Sequence, residues 1–308
     1  MKIRLIVACT LLIVVLATIS CGNNVNLTNP NITDSLGVVF GTNETFDIVT
    51  WNIQSFPKHN PETTDLLRTL IPNLQAELIA VQEISSTSSL SQLVNQIPNW
   101  SYIVSGSGDG YTRVGILYNN ITVQIDSFAT IFSDMSTPFP RAPLLVKLHW
   151  QGQEMIVITV HLKAYDDNII VDNDPQDNEY RRKYACELLD QYIETNFPNS
   201  KVIILGDMND QIQDPEDYNV FMTFLDKPEE YYFTDMPIAL NSNSNNCSYP
   251  KYSSQIDHIL ITNELYDAFD LSNRYVKAIN IENFVVGGLS SYYTYISDHR
   301  PVGSRFRF

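Results

Sequence analysis

The sequence predicts one α/β domain, and three observations carry that expectation. Short runs rich in Val and Ile, bounded by turn residues, recur along the 308 residues as buried strands do. Segments with apolar residues at helical spacing separate several of them. Six of the runs also carry polar residues at one end: Asn52, Glu83, His161 and Asp207 close their runs, while Asp257 and the pair Asp298-His299 open theirs. Ligands in open α/β sheets gather beyond the carboxyl ends of parallel strands. If the last two runs lie antiparallel to the others, all six positions reach one rim.

Ahead of the domain, residues 1–20 read as an export signal. Lys2 and Arg4 form a basic start, and Leu5 to Leu16 is an apolar core too short to span a bilayer. Thr18-Ile19-Ser20-Cys21-Gly22 resembles the processing site of bacterial lipoproteins, where the Cys is lipidated, although Thr18 replaces the usual Leu. The alternative is an ordinary signal peptide cut nearby. Both place the mature protein outside the cytoplasm, as a cell-surface or outer-membrane lipoprotein or as a secreted or periplasmic protein. Residues 21–44, rich in Asn and Thr, are expected to form a flexible tether. The domain is expected over 45–308.

Within it, a strand ending at Asn52 precedes a helix over 62–75, whose apolar face carries Leu66, Leu67, Leu70 and Leu74 and which Pro72 kinks or stops. Leu78 to Val81 forms a strand leading to Glu83, and a short helix covers 89–97. Ser101 to Val104 and Arg113 to Tyr118 flank a Gly-rich loop as a hairpin, and Ala142 to Trp150 pairs with Met155 to His161 around Gln151-Gly152. An acidic loop leads to a helix over 179–196. Its opening Arg181, Arg182 and Lys183 oppose the helix macrodipole, so they serve either the site or a solvated helix end. A strand over 201–205, a Tyr- and Asn-rich stretch over 218–255 and two or three final strands complete the chain. No internal repeat is evident.

With 19 Lys+Arg against 35 Asp+Glu, the net charge is −16 and the pI about 4.5. That excludes broad electrostatic tracking along nucleic acid, which needs cations at many phosphates. It leaves a phosphate substrate open, because bound metal ions supply local positive charge. Beyond the signal, Cys186 and Cys247 either pair in an oxidising compartment or remain buried thiols.

The motifs Thr50-Trp51-Asn52, Val81-Gln82-Glu83, Phe139-Pro140-Arg141-Ala142-Pro143, Val160-His161-Leu162, Gly206-Asp207-Met208-Asn209, Gln255-Ile256-Asp257-His258 and Ser297-Asp298-His299-Arg300-Pro301 resemble, in order, those of the endonuclease/exonuclease/phosphatase superfamily. The resemblance implies a two-sheet β-sandwich flanked by helices (a four-layer, deoxyribonuclease-like α/β sandwich) and metal-dependent phosphoester hydrolysis. It implies Mg²⁺, or Mn²⁺, held by Glu83, Asn52 and Asp298, hard oxygen ligands of the kind Mg²⁺ prefers. His299 becomes the general base or the group holding the scissile phosphate, oriented by Asp257. Asp207 and Asn209 position water and phosphate or bind a second ion, and His161 donates to phosphate or leaving group. Arg141 is either a phosphate-binding fork or a surface ion-pair partner. His258 should point away from Asp257, because neighbouring strand residues alternate faces.

Two departures bear on substrate. Where pancreatic-type deoxyribonucleases back the histidine with a glutamate, this sequence offers Arg113, and Gln54 stands where abasic-site enzymes carry an aspartate. These put a strict deoxyribonuclease in doubt. The run His161-Leu162-Lys163-Ala164, followed after an acidic loop by Arg181-Arg182, resembles exported bacterial nuclease-like members, so the expected activity is that of an exported phosphodiesterase, a nuclease of low sequence specificity. A phosphatase or sphingomyelinase of the same fold is the alternative, and a binding protein that has lost catalysis the minor one. Tyr231-Tyr232-Phe233 and Tyr292-Tyr293-Thr294-Tyr295 are candidates for a membrane-facing hairpin or for base stacking. Expected partners are nucleic acid as substrate and the membrane through a lipid anchor at Cys21, with the chain itself a monomer.

Overall fold

The computed structural model describes residues 37–106, 112–165 and 167–308. The export signal, Cys21, most of the tether and much of the Gly-rich hairpin loop fall outside the described residues.

The strands are β1 (Phe46–Phe56), β2 (Leu78–Ile84), β3 (Trp100–Val104), β4 (Arg113–Asn119), β5 (Val123–Thr130), β6 (Leu144–Trp150), β7 (Gln153–His161), β8 (Val202–Asp207), β9 (Tyr231–Phe233), β10 (Asp257–Thr262), β11 (Val276–Ala278) and β12 (Val302–Phe306). They form two six-stranded sheets, ordered β11-β12-β1-β2-β4-β3 and β5-β6-β7-β8-β10-β9. Each sheet is built on one parallel pair, β1/β2 or β7/β8. A helix crosses over within each pair, α1 (Glu62–Asn73) in the first and α3 (Asn178–Asn196) in the second. Helix α2 (Thr87–Val94) follows β2. The parallel strands are buried on both faces, which is why they read as unbroken apolar runs.

Three apolar clusters hold the layers together. One lies under α1 and α2, around Trp51 and Leu70. The second fills the space between the sheets with Ile48, Leu78, Val157 and Leu205. The third lies under α3, around Leu189 and Ile204. The layers are thus helix, sheet, sheet, helix. Strand β12 runs antiparallel to β1 and β10 antiparallel to β8, as the single-rim expectation requires.

Several sequence expectations shift. Strand β5 was not foreseen: it is an edge strand with Gln124, Asp126 and Ser127 outward and a bulge near Asp126, so its apolar alternation is broken. Packing begins before Thr45, because Val38 and Phe40 are buried and Phe40 and Gly41 donate backbone hydrogen bonds to Leu74 O. The tyrosine runs do not form exposed hairpins. Tyr231 and Phe233 pack under α3 from β9, and Tyr292 is fully buried, its hydroxyl accepting from Trp51 Nε1 at 3.0 Å. Cys186 and Cys247 are both buried free thiols.

Candidate active site

Register places the site. Across β7, β8 and β10, His161 lies opposite Asp207 and Asp207 opposite Asp257, so three side chains share one rung and one face. Gly206 makes this possible: a Cβ there would lie 2.0 Å from Val160 O, so only glycine admits the close approach. In the other sheet both central strands bulge where they meet the rim. Gln54, Ser55 and Glu83 take left-handed backbone conformations there, with φ of 31°, 51° and 62°. Such strain concentrates at functional sites. Here it turns the Glu83 carboxylate back, so that Ser55 N donates to its Oε2 at 2.8 Å.

Asn52 joins the two sheets. Its Nδ2 donates to Glu83 Oε1 at 3.1 Å and to Asp207 Oδ2 at 2.8 Å, while its Oδ1 accepts from Gln54 N at 2.9 Å. The last loop closes the ring. Ser297 Oγ donates to Asn52 O at 2.6 Å and accepts from His299 N at 3.0 Å. Gln54 Oε1 accepts from both Asp298 N and the Lys58 ammonium. His299 Nδ1 donates to Asp257 Oδ2 at 2.8 Å. That leaves Nε2 facing the cleft, 3.9 Å from both Asp207 Oδ2 and Asp298 Oδ1. His161 Nε2 lies 3.5 Å from Asp207 Oδ2.

The electrostatics follow from burial and crowding. Burial, reinforced by Asp257 and Glu83 against the pull of His299 and Asn52, raises Asp207 to about 7. Burial works against a charged His299 ring, but Asp257, Asp207 and Asp298 together outweigh it and raise the group to about 10. His161 falls well below its ordinary value through burial and repulsion from Arg141 and His299, so its ring is neutral. Its buried Nδ1 finds no hydrogen-bond partner among the described residues, and neither does Asp257 Oδ1. The missing partner of His161 fits the sequence, which lacks the backing glutamate of pancreatic-type enzymes.

One cleft of about 640 Å³ is lined by Glu83, His161, Asp207, Asp298 and His299 with Arg141 and Asn209. Every site residue expected from the sequence lies in this cleft or directly behind it. Asn209 holds its place by donating from N to Asp207 Oδ1 at 3.1 Å and from Nδ2 to Leu162 O at 3.3 Å. Arg141 Nη1 reaches the same carbonyl at 3.4 Å, which puts the guanidinium at the cleft rather than in a surface ion pair. His258 faces the opposite way, between Asp235 Oδ2 (2.7 Å) and Asp210 O (2.8 Å), and is structural. Of the three basic residues opening α3, Arg182 is fully buried and pairs with Asp210 and Glu179, while Lys183 pairs outward with Asp172.

Sequence reasoning missed Tyr249, Tyr252 and Tyr165. The Tyr249 ring lies 4.7 Å from the His299 ring and 5.3 Å from that of Tyr252. Tyr252 and Tyr165 stand at the mouth, 63% and 79% exposed. The dense tyrosines of residues 218–255 were the available signal, but spacing alone does not separate a stacking ring from a packed one.

The residues fit a divalent cation. Glu83, Asp207, Asp257 and Asp298 converge on one charged group, His299, with no Lys or Arg in ion-pair contact among the described residues, so negative charge is in surplus there and a cation would offset its burial. Asp207, Asp257 and His299 bring ligand atoms within 4.8 Å of one another.

The model of the endonuclease/exonuclease/phosphatase family matches residues 49–299. The chain belongs to that family. Its class is therefore that of metal-dependent phosphoester hydrolases. No curated protein matches the chain. Among solved structures, it is similar to the D. rerio TDP2 complexed with single strand DNA product, at 15% identity and a TM-score of 0.64, over 86% of this chain and 99% of that one. The human Nocturnin catalytic domain with bound sulfate anion is similar at 14% identity and a TM-score of 0.59, over 86% and 94%. An endonuclease/exonuclease/phosphatase from Bacteroides vulgatus follows at 12% and 0.58, over 86% and 99%. At these identities the likeness is one of fold, and family members on that fold keep the two-sheet sandwich described above.

Proposed function

We propose that the protein is an exported Mg²⁺-dependent phosphodiesterase that hydrolyses nucleic-acid strands, most simply as a nuclease of low sequence specificity. The observation that carries this reading is the convergence of Glu83, Asp207, Asp298, two imidazoles and Arg141 on one cleft, with Asp257 behind His299 and exposed tyrosine rings at the mouth. Glu83 and Asp298 would hold the ion, with Asn52 Oδ1 and Asp207 alongside. Mg²⁺, or Mn²⁺ in its place, would neutralise phosphoryl charge and make a water nucleophilic.

The protein's own groups do the rest. Asp257 orients His299, which, raised to about 10, holds the phosphate through Nε2–H; it would accept a proton from the attacking water only where a bound cation's charge returned the ring to its neutral form. His161, neutral and with Nε2 3.5 Å from Asp207, donates to a phosphoryl oxygen or to the leaving oxygen. Asn209 and Arg141, braced on one carbonyl, offer amide and guanidinium hydrogens to the phosphate. Tyr252 and Tyr165 offer ring faces to unstacked bases. The similar D. rerio TDP2, complexed with single strand DNA product, supports a strand as ligand. A sphingomyelinase-like reading loses its expected aromatic hairpins, because both runs are packed.

Export rests on the basic and apolar start of the sequence, and anchoring on Cys21. The deciding assay compares plasmid DNA, RNA, sphingomyelin and inositol phosphates side by side with Mg²⁺. Turnover of DNA or RNA is expected. Turnover confined to lipid or inositol phosphate would overturn the nucleic-acid assignment.

A further inference from the structure

Three cations gather at one end of the cleft in a chain whose net charge is −16. Arg141 lies just before β6, Lys163 just after β7, and Arg181 in the first turn of α3. Hydrogen bonds pin the three segments together. Arg182 Nη1 donates to Lys163 O (2.8 Å) and to Tyr165 O, tying residues 163–165 to α3. Arg181 donates from Nε to Thr137 O (2.6 Å) and from Nη2 to Ser136 O (3.4 Å), tying the same turn to the segment that leads into Arg141. Arg141 in turn reaches Leu162 O. The Lys163 ammonium rests 4.9 Å from the Tyr165 ring centre and gives one hydrogen to Ala164 O at 2.9 Å.

Donors remain unused on all three. An ammonium has three and a guanidinium five. None of the three cations forms an ion pair with a carboxylate of the described residues, since Glu179 and Asp210 are engaged by Arg182. Burial and the neighbouring Arg181, Arg141 and Arg182 lower the Lys163 pKa, so the cations feel one another. An acidic protein that holds like charges together in this way places there a site for an anion.

We propose that Lys163 and Arg181, continuing from Arg141, form a subsite for a second phosphate, the one adjoining the scissile phosphate on a nucleic-acid strand. The inference rests on the phosphodiesterase reading and sharpens it: a substrate with a neighbouring phosphate should outcompete one without. The exposed rings of Tyr165 and Tyr252 on the same cleft favour a strand over a small bis-phosphate, because rings stack on bases.

The test compares hydrolysis, with Mg²⁺, of a dinucleotide whose only phosphate is the scissile one and of a trinucleotide that adds one more. The protein is expected to favour the trinucleotide by about tenfold in kcat/KM, a ratio worth about 1.4 kcal/mol. Lys163→Gln should cut that ratio severalfold through KM, and Lys163→Gln with Arg181→Gln should bring it close to one. Arg181 also braces the turn at residues 136–137, so Lys163→Gln, which leaves that brace intact, is the decisive variant. An undiminished ratio in Lys163→Gln overturns the subsite, and so does a ratio that falls only through kcat.

If the protein cleaves neither substrate, the phosphodiesterase reading is what fails, and binding then tests the subsite alone. With His299→Ala and a labelled single-stranded hexanucleotide, the slope of log K against log salt should flatten by about 0.7 for each contact removed. An unchanged slope in the double variant overturns the subsite whatever the turnover. An effect seen with an inositol bisphosphate but not with the strand overturns the strand assignment.

Discussion

Acidic groups cluster beside both ends of strands β1 and β2, and the two ends behave differently. At the amino end, Asp47 and Glu77 are closed in by their own chain. Asp47 accepts from Thr42 N and Thr45 Oγ1, Glu77 Oε2 accepts from Asp47 N at 2.8 Å, and Arg305 lies 3.6 Å from Asp47. At the carboxyl end, Glu83, Asp207 and Asp298 face an open cleft with Asp257 buried behind His299, and buried atoms are left unpartnered. Each end holds at least one carboxylate raised by burial. Burial raises Asp47 to about 6 and Glu77 to about 8, as it raises Asp207 to about 7. A shifted carboxylate therefore does not by itself mark a site; what distinguishes the carboxyl end is unspent bonding capacity turned toward a cavity.

Perturbations should separate the two ends. The largest effect belongs to His299→Ala, expected to lower turnover of a phosphodiester by about 10³-fold or more while circular dichroism stays native. Near-normal turnover would remove His299 from the mechanism. Chelation should come next, abolishing turnover until Mg²⁺ or Mn²⁺ is restored. Mg²⁺ at a hundred times its Kd should also stabilise the protein by about 2.7 kcal/mol, seen as a rise in Tm of roughly 5–10 °C. Glu83→Gln should lose most of that rise and Glu77→Gln none of it, so equal responses from the two variants would erase the distinction between the ends.

Arg141→Ala should raise KM for a strand about tenfold with a smaller change in kcat, measured by steady-state kinetics; a pure kcat loss would move Arg141 into the chemical step. The smallest effect concerns pH. Glu77 holds its proton more tightly folded than unfolded, so its contribution to stability is complete below about pH 4.5 and fades as pH rises to about 8. Glu77→Gln keeps an acceptor for Asp47 N and removes the titration. Its Tm should decline less between pH 5 and 8, each kcal/mol recovered showing as roughly 2–4 °C. A wild-type Tm that is flat over that range would disprove the buried proton.

Much of the carboxyl-end site was legible in the chain. Asn52, Glu83, His161, Asp207, Asp257 and Asp298-His299 stand out because each interrupts or borders an apolar run, a local pattern. The reading of His258 as structural followed from strand alternation, and the structure seats it between Asp235 and Asp210 O. The role of Lys163 and of the cleft tyrosines was not legible, since it depends on which loop lies beside which. Tyr292 and Tyr252 look alike in sequence, yet one is sealed against Trp51 and the other stands in solvent.

By itself the sequence determined the α/β class and the rim, and its resemblance to the family implied the layers: residue alternation and polar strand ends are local properties, written every two or four residues. Tertiary structure alone decided the register that sets His161, Asp207 and Asp257 on one rung, the bulges that turn Glu83 back into the cleft, and the meeting of Arg141, Lys163 and Arg181. Those depend on contacts between residues far apart in the chain, and short-range periodicity carries no information about which distant partner a side chain will meet.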